Sequence, residues 1–232
     1  MVTKPSLILL FAISFAFFVL APAFLGLPFP GYDLMHWADV LDILTPLVLI
    51  PIYWLLLTDS GRIPRSLPVV LTFLALGALW TEGQGMHLSA NSISNLLGGG
   101  STDVHVLVHF YDEVLSHYVW HIAIVGLSIL LVAVRANGQS TAAPIHWSLV
   151  IPSAVLYGFT YFAAINEGGT VPLGFPAAIV IPLALLLTRR ADLRSKNLVA
   201  FFFLGYILAV LLFTGWFAYW GGFPEFSETG II

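Results

Sequence analysis

Cysteine is absent from the 232 residues. That removes disulfides, thiolate metal sites, iron–sulfur clusters and cysteine nucleophiles at one stroke. Charge is scarce as well: Asp, Glu, Lys and Arg make up 9% of the chain, against about 25% in soluble domains. No strongly basic surface exists to engage nucleic acid. No stretch between apolar runs exceeds roughly 20 residues, which leaves no room for a sizeable soluble domain. What the chain does have is apolar side chains, 59% of all residues, with a mean hydropathy of +0.96. Backbone in lipid must satisfy its own hydrogen bonds, so the expectation is an all-α, polytopic bundle.

The few charges are sorted by side. The bases are Lys4, Arg62, Arg65, Arg135, Arg189, Arg190, Arg194 and Lys196. They sit before the first apolar run and after the second, fourth and sixth. This is the positive-inside pattern of seven spans with the N-terminus inside and the C-terminus outside. The expected spans are about 6–27, 34–58, 67–82, 104–134, 146–165, 171–188 and 197–220, forming one transmembrane domain. A short amphipathic outer helix is expected over about 87–97, set off from the third span by Gly83 and Gly85. Pro28, Pro30 and Gly31 predict a stiff outer turn, and Pro46 and Pro51 predict kinks in the second span. Lys4, the following apolar run and Ala21-Pro22-Ala23 have some features of a secretory signal, but the run is long for one, and a retained helix is expected.

Acids and imidazoles gather at the other end. In the fourth span His105, His109, Glu113, His117 and His121 recur every four residues. Each step advances about 40° around an α-helix, so neighbours share a face while the whole stripe drifts by about 160°. Glu113, His117 and His121 are therefore the tight set, with Asp112 and Ser116 on an adjoining face. An H-x-x-x-H pair on one helix can grip a metal ion. Depths at about 1.5 Å per residue bring Glu82, Asp39, Asp42 and Glu167 of other spans into the same outer layer. Ionisable groups within a membrane are expensive and mark functional sites. The expected metal ligands are His117, His121, Glu82, Glu113 and His87; Asp42, Asp112 and Glu167 are the expected general bases or orienting carboxylates.

Imidazole and carboxylate without thiolate suit a divalent metal, with zinc favoured and iron or copper as alternatives. The usual carboxylate-bridged di-iron bundle carries Glu-x-x-His on two helices, and this chain has no such pair. The His117/His121 pair, with a further His, an Asp and a Ser in seven spans, faintly resembles the alkaline ceramidase and adiponectin-receptor group. That resemblance implies a zinc amidase. The pattern departs from that group, whose HxxxH pair lies on the last helix and faces the cytosol, so no residue roles are carried over. The expected activity is hydrolysis of a lipid or other amphiphile at a site facing the periplasmic or extracellular side. A metal-dependent oxidoreductase is the runner-up. A haem-binding protein or an accessory subunit with a membrane-protein partner are the non-catalytic alternatives. A transporter fits less well, because the inner half offers only Ser, Thr and Tyr, such as Thr45, Thr72, Ser128, Ser153 and Tyr157.

Overall fold

A computed structural model describes residues 4–58, 66–97, 102–137 and 144–231. Seven helices are long and apolar enough to cross a membrane. They run α1 (Lys4–Leu20), α2 (Trp37–Leu57), α3 (Leu67–Leu97), a composite fourth span, α6 (Trp147–Glu167), α7 (Val171–Thr188) and α8 (Asn197–Trp220). The fourth span has three parts: α4 (Asp103–His109), a π-helical stretch (Phe110–Ser116) and α5 (His117–Asn137). A one-turn helix, α9 (Phe226–Thr229), lies near the C-terminus. The protein is an all-α, multi-pass bundle.

The boundaries differ from the sequence reading in three places. The first span ends at Leu20 and tightens into a 3-10 turn over Ala21–Phe24, where Pro22 supplies no amide donor. The expected turn after it is a small antiparallel hairpin, β1 (Pro28–Phe29) with β2 (Tyr32–His36), so α2 begins at Trp37 rather than near Leu34. Gly31 takes the left-handed conformation this reversal needs, at φ 87°. The third correction is the largest. α3 is one helix of 31 residues, continuous through Gly83 and Gly85. The expected separate helix over 87–97 is simply its last turns.

Packing explains that continuity. α3 lies along α5, and a Cβ on Gly83 would stand 2.7 Å from the Trp120 amide nitrogen and 2.9 Å from the Ser116 carbonyl oxygen. The glycine is there so that the two backbones can touch, and that contact offsets its intrinsic helix penalty of about 1 kcal/mol. Elsewhere α6 packs between α1 and α8, and α7 covers α8. The core is aromatic: Phe11, Phe15, Tyr53, Tyr157, Tyr161, Phe201, Phe202 and Tyr206 are fully enclosed. Within it Ser128 and Tyr157 share a hydrogen bond of 2.9 Å, and Tyr157 meets Tyr206 at 3.1 Å.

The end opposite the hairpin is held by bases. Arg135 donates to the Leu56 carbonyl (3.0 and 2.7 Å) and to that of Thr58 (2.8 Å), satisfying acceptors left open where α2 stops. Lys196 does the same for Ala136 at the end of α5 (2.8 Å) and pairs with Asp192 at 3.0 Å. The charges that mark topology in the sequence are thus also helix caps. Arg62 and Arg65, expected on the same side, lie outside the described residues, as does the side chain of Lys4.

Candidate functional site

One turn beyond the Gly83 contact, toward the hairpin end, side chains of α3 meet those of the fourth span. His87 faces His117 with ring centroids 4.9 Å apart. His117 stacks on His121 at 5.9 Å, and the Trp120 ring covers His121 at 3.9 Å. The connection from α6 to α7 closes this pocket. A Cβ on Gly168 would stand 2.8 Å from His121 Cε1 and 3.2 Å from His117 Cγ. Only a glycine lets the chain pass so near both rings.

Each imidazole has an oxygen facing Nδ1, and for His117 and His121 that contact is a hydrogen bond. The Thr170 hydroxyl stands 2.6 Å from His121 Nδ1 and 3.4 Å from the Ile165 carbonyl; with its proton on the carbonyl, its oxygen accepts the ring N–H. A backbone carbonyl can only accept; His117 Nδ1 lies 3.1 Å from that of Glu113 and carries the proton there. His87 Nδ1 stands 2.9 Å from Asp112 Oδ1, close but poorly aligned for a hydrogen bond. A neutral imidazole protonated at Nδ1 has its lone pair on Nε2. His121 Nε2 is buried with no hydrogen-bond partner among the described residues. Fixing Nδ1 on an oxygen is how proteins orient a metal-ligating histidine.

Two carboxylates share this layer. Asp112 is almost fully buried, and Asp42 of α2, equally buried, accepts a hydrogen bond from Gln84 Nε2 at 3.0 Å. Neither Glu82 nor Glu113 joins them. Glu82 is exposed and makes no side-chain hydrogen bond or ion pair among the described residues, and it forms no metal-holding group with His117 and His121 there. The Glu113 side chain is 43% exposed, with its nearest oxygen 4.0 Å from His117 Nδ1. Among the described residues no three His, Asp or Glu side chains close around one point as a finished metal cage.

The exchange of Asp112 for Glu113 has a definite cause. On an α-helix, Glu113 lies about 40° from His117 and Asp112 about 140° away, facing out. The π-helical stretch widens the turn, which brings Asp112 round toward α3 and His87, while the Glu113 side chain stays partly exposed. Ser116 bonds back to the Asp112 carbonyl inside this stretch. His105 and His109 continue on α4, away from the ring cluster.

Glu167 also has a different task. Its Oε2 accepts from the Phe226 (2.6 Å) and Ser227 (3.4 Å) amides at the start of α9. Asn166 and Trp216 both donate to the Pro224 carbonyl, at 2.7 and 3.0 Å, and Phe226 packs on Phe162 and Trp216. Residues 223–229 are thereby strapped over the ends of α6 and α8. Glu225, in that strap, has its carboxyl pushed up to about 7 by burial and by the charges of Glu167, Glu113 and Glu228. Gln84, Gly168 and Thr170 are site residues that sequence reasoning passed over. Gln84 was within reach, because it lies three residues before His87 on one face; the contact of Thr170 with His121, 49 residues away, left no local trace.

Compared with known protein families, curated proteins and solved structures, the chain matches none.

Proposed function

We propose that this protein is a metal-dependent membrane enzyme whose ion is held by Nε2 of His87, His117 and His121. The observation that carries the reading is the triple orientation just described: three imidazoles from two helices, each with Nδ1 facing an oxygen, and one Nε2 buried without a partner. Glu82 and Glu113 have no part in it. Three nitrogen ligands and an open fourth position suit zinc, which polarises a carbonyl and makes hydroxide available near neutral pH. Asp112 orients His87. Asp42, held by Gln84, is the other buried carboxylate of the layer and the proposed general base.

The reaction is hydrolysis of an ester or amide in an amphiphile. Water adds to the carbonyl carbon and gives up a proton to the carboxylate. The carbon–oxygen or carbon–nitrogen bond then breaks, and the leaving alcohol or amine takes that proton. The sorting of bases to the opposite end supports a site near the non-cytoplasmic face, with the N-terminus inside. Elemental analysis of the purified protein is the test. About one zinc per chain is expected, falling below a tenth of that in His117→Ala and in His121→Ala and unchanged in Glu82→Gln. Full metal content in both histidine variants refutes the site, and iron or copper in place of zinc turns the chemistry to redox.

A further inference from the structure

α3 carries a polar lane. Gln84, His87, Asn91 and Asn95 are spaced by three, four and four residues, a rotation within about 20° of three full turns, so they form one file about 16 Å long. Its lower half faces Asp42 and Asp112, through the Gln84 and His87 contacts. Its upper half lines a cavity of about 390 Å³, walled by Asn91 and Asn95 on one side and by Gly26, His36, Ala38 and Asp39 on the other. Asp39 is nearly buried, and its Oδ2 accepts the His36 amide at 2.7 Å. Asn95 donates to Asn91 at 3.3 Å. The cavity lies beside the hairpin, and the file of α3 that forms one of its walls continues to His87.

Two properties define what it can hold. The first is charge. Among the described residues no Lys or Arg stands at this end: Arg135 and Lys196 cap helices at the other, and Arg189, Arg190 and Arg194 lie in the connection between α7 and α8. Asp39 has only the His36 ring beside it, at 3.7 Å, and faces no Lys or Arg among the described residues, so the field there attracts cations and repels phosphate, sulfate or carboxylate head groups. The second is the rim. Phe24, Leu27 and Leu96 lie within two residues of Gly26 or Asn95 of the cavity walls and are each at least 64% exposed. Apolar side chains beside a polar cavity at the edge of a bilayer suit a ligand with a head and a tail.

We propose that this cavity binds the ammonium head of a cationic amphiphile, with its chain over Phe24, Leu27 and Leu96. Asp39 supplies the charge, and Asn91 and Asn95 accept the remaining N–H groups through their amide oxygens. The proposal rests on the metal-enzyme reading for what lies at the foot of the lane, and names the substrate class of that site.

The test is calorimetric titration of the protein in an uncharged detergent with tetradecylamine, tetradecanol and tetradecyl sulfate. Saturable binding of the amine is expected, at least tenfold tighter than the sulfate and weakening as salt is raised. Asp39→Asn keeps an oxygen for the His36 amide but loses the charge, and should weaken the amine at least tenfold. The double variant Asn91→Ala/Asn95→Ala should weaken it as well, with zinc content unchanged in both. Equal affinity for amine and sulfate, or unaltered amine affinity in both variants, overturns the proposal. The two readings fail separately. Amine binding that persists in a protein without metal leaves the cavity standing and removes the histidine site; zinc without amine selectivity does the reverse.

Discussion

At the scale of single residues, the histidine pocket depends on atoms that are missing as much as on those present. Gly168 passes within contact of two imidazoles, and a methyl group there meets His121 Cε1 at 2.8 Å. Backbone cannot retreat easily from a ring packed on Trp120. Gly168→Ala should destabilise the protein by about 1–3 kcal/mol, the usual cost of overpacking, and lower its zinc content. Thermal unfolding with elemental analysis checks both; an unchanged melting temperature and full zinc would show that the pocket has slack.

Glu225 offers a second residue-scale experiment, because it lies outside the spans. Its carboxyl is raised from an ordinary 4.5 to about 7. A folded-state value above the unfolded one means that the folded chain binds the proton more tightly. Stability is therefore lost as pH climbs from about 4.5 to about 7, and levels off above that. The loss should be local, since the strap is held by Glu167, Asn166 and Trp216. Amide exchange at residues 226–230 should quicken relative to the core over that interval, and Glu225→Gln should remove the dependence.

At the scale of elements, the π-helical stretch decides which carboxylate enters the bundle. Spacing by four makes Glu113 the partner of His117 and His121 on any regular α-helix, and that is how the sequence reads. The wider turn at Phe110–Ser116 hands the inward place to Asp112. Asp112→Asn should cut zinc affinity about 10- to 100-fold, the range for losing an orienting partner, while Glu113→Gln should leave it nearly unchanged. The opposite ranking would mean that the helix is regular there. α3 makes a related point. Gly83 and Gly85 look like a break in the sequence, and a break is what intrinsic propensity favours. Contact with the α5 backbone makes Gly83 a packing residue instead, so the helix runs on and carries His87, Asn91 and Asn95 in one file with Gln84.

Across the whole molecule, sorted charge and seven apolar helices describe a protein with two unlike ends. One is fastened by Arg135 and Lys196 capping their neighbours' carbonyls. The other holds the hairpin, the histidines and the strap. The absence of cysteine makes the orientation easy to measure. A membrane-impermeant maleimide applied to intact cells should label Ser227→Cys and Asn95→Cys but not Ser195→Cys. Labelling of Ser195→Cys alone would invert the topology, and with it the side from which an amphiphile reaches the cavity.

The sequence by itself determined the number of spans, the end at which polar chemistry collects, and the residue types available to do it. Those follow from hydropathy and from the cost of charge in lipid, which are properties of side chains one at a time. It also brought Glu82, Asp39, Asp42 and Glu167 into the layer of His117 and His121 by depth alone. Only the tertiary structure decided direction. Whether Glu82 turns inward, whether Asp112 or Glu113 meets the rings, and which oxygen holds each Nδ1 depend on close helix contacts at Gly83 and Gly168 and on one widened turn. Rotation about a helix axis is set by its neighbours, and no count along the chain contains it.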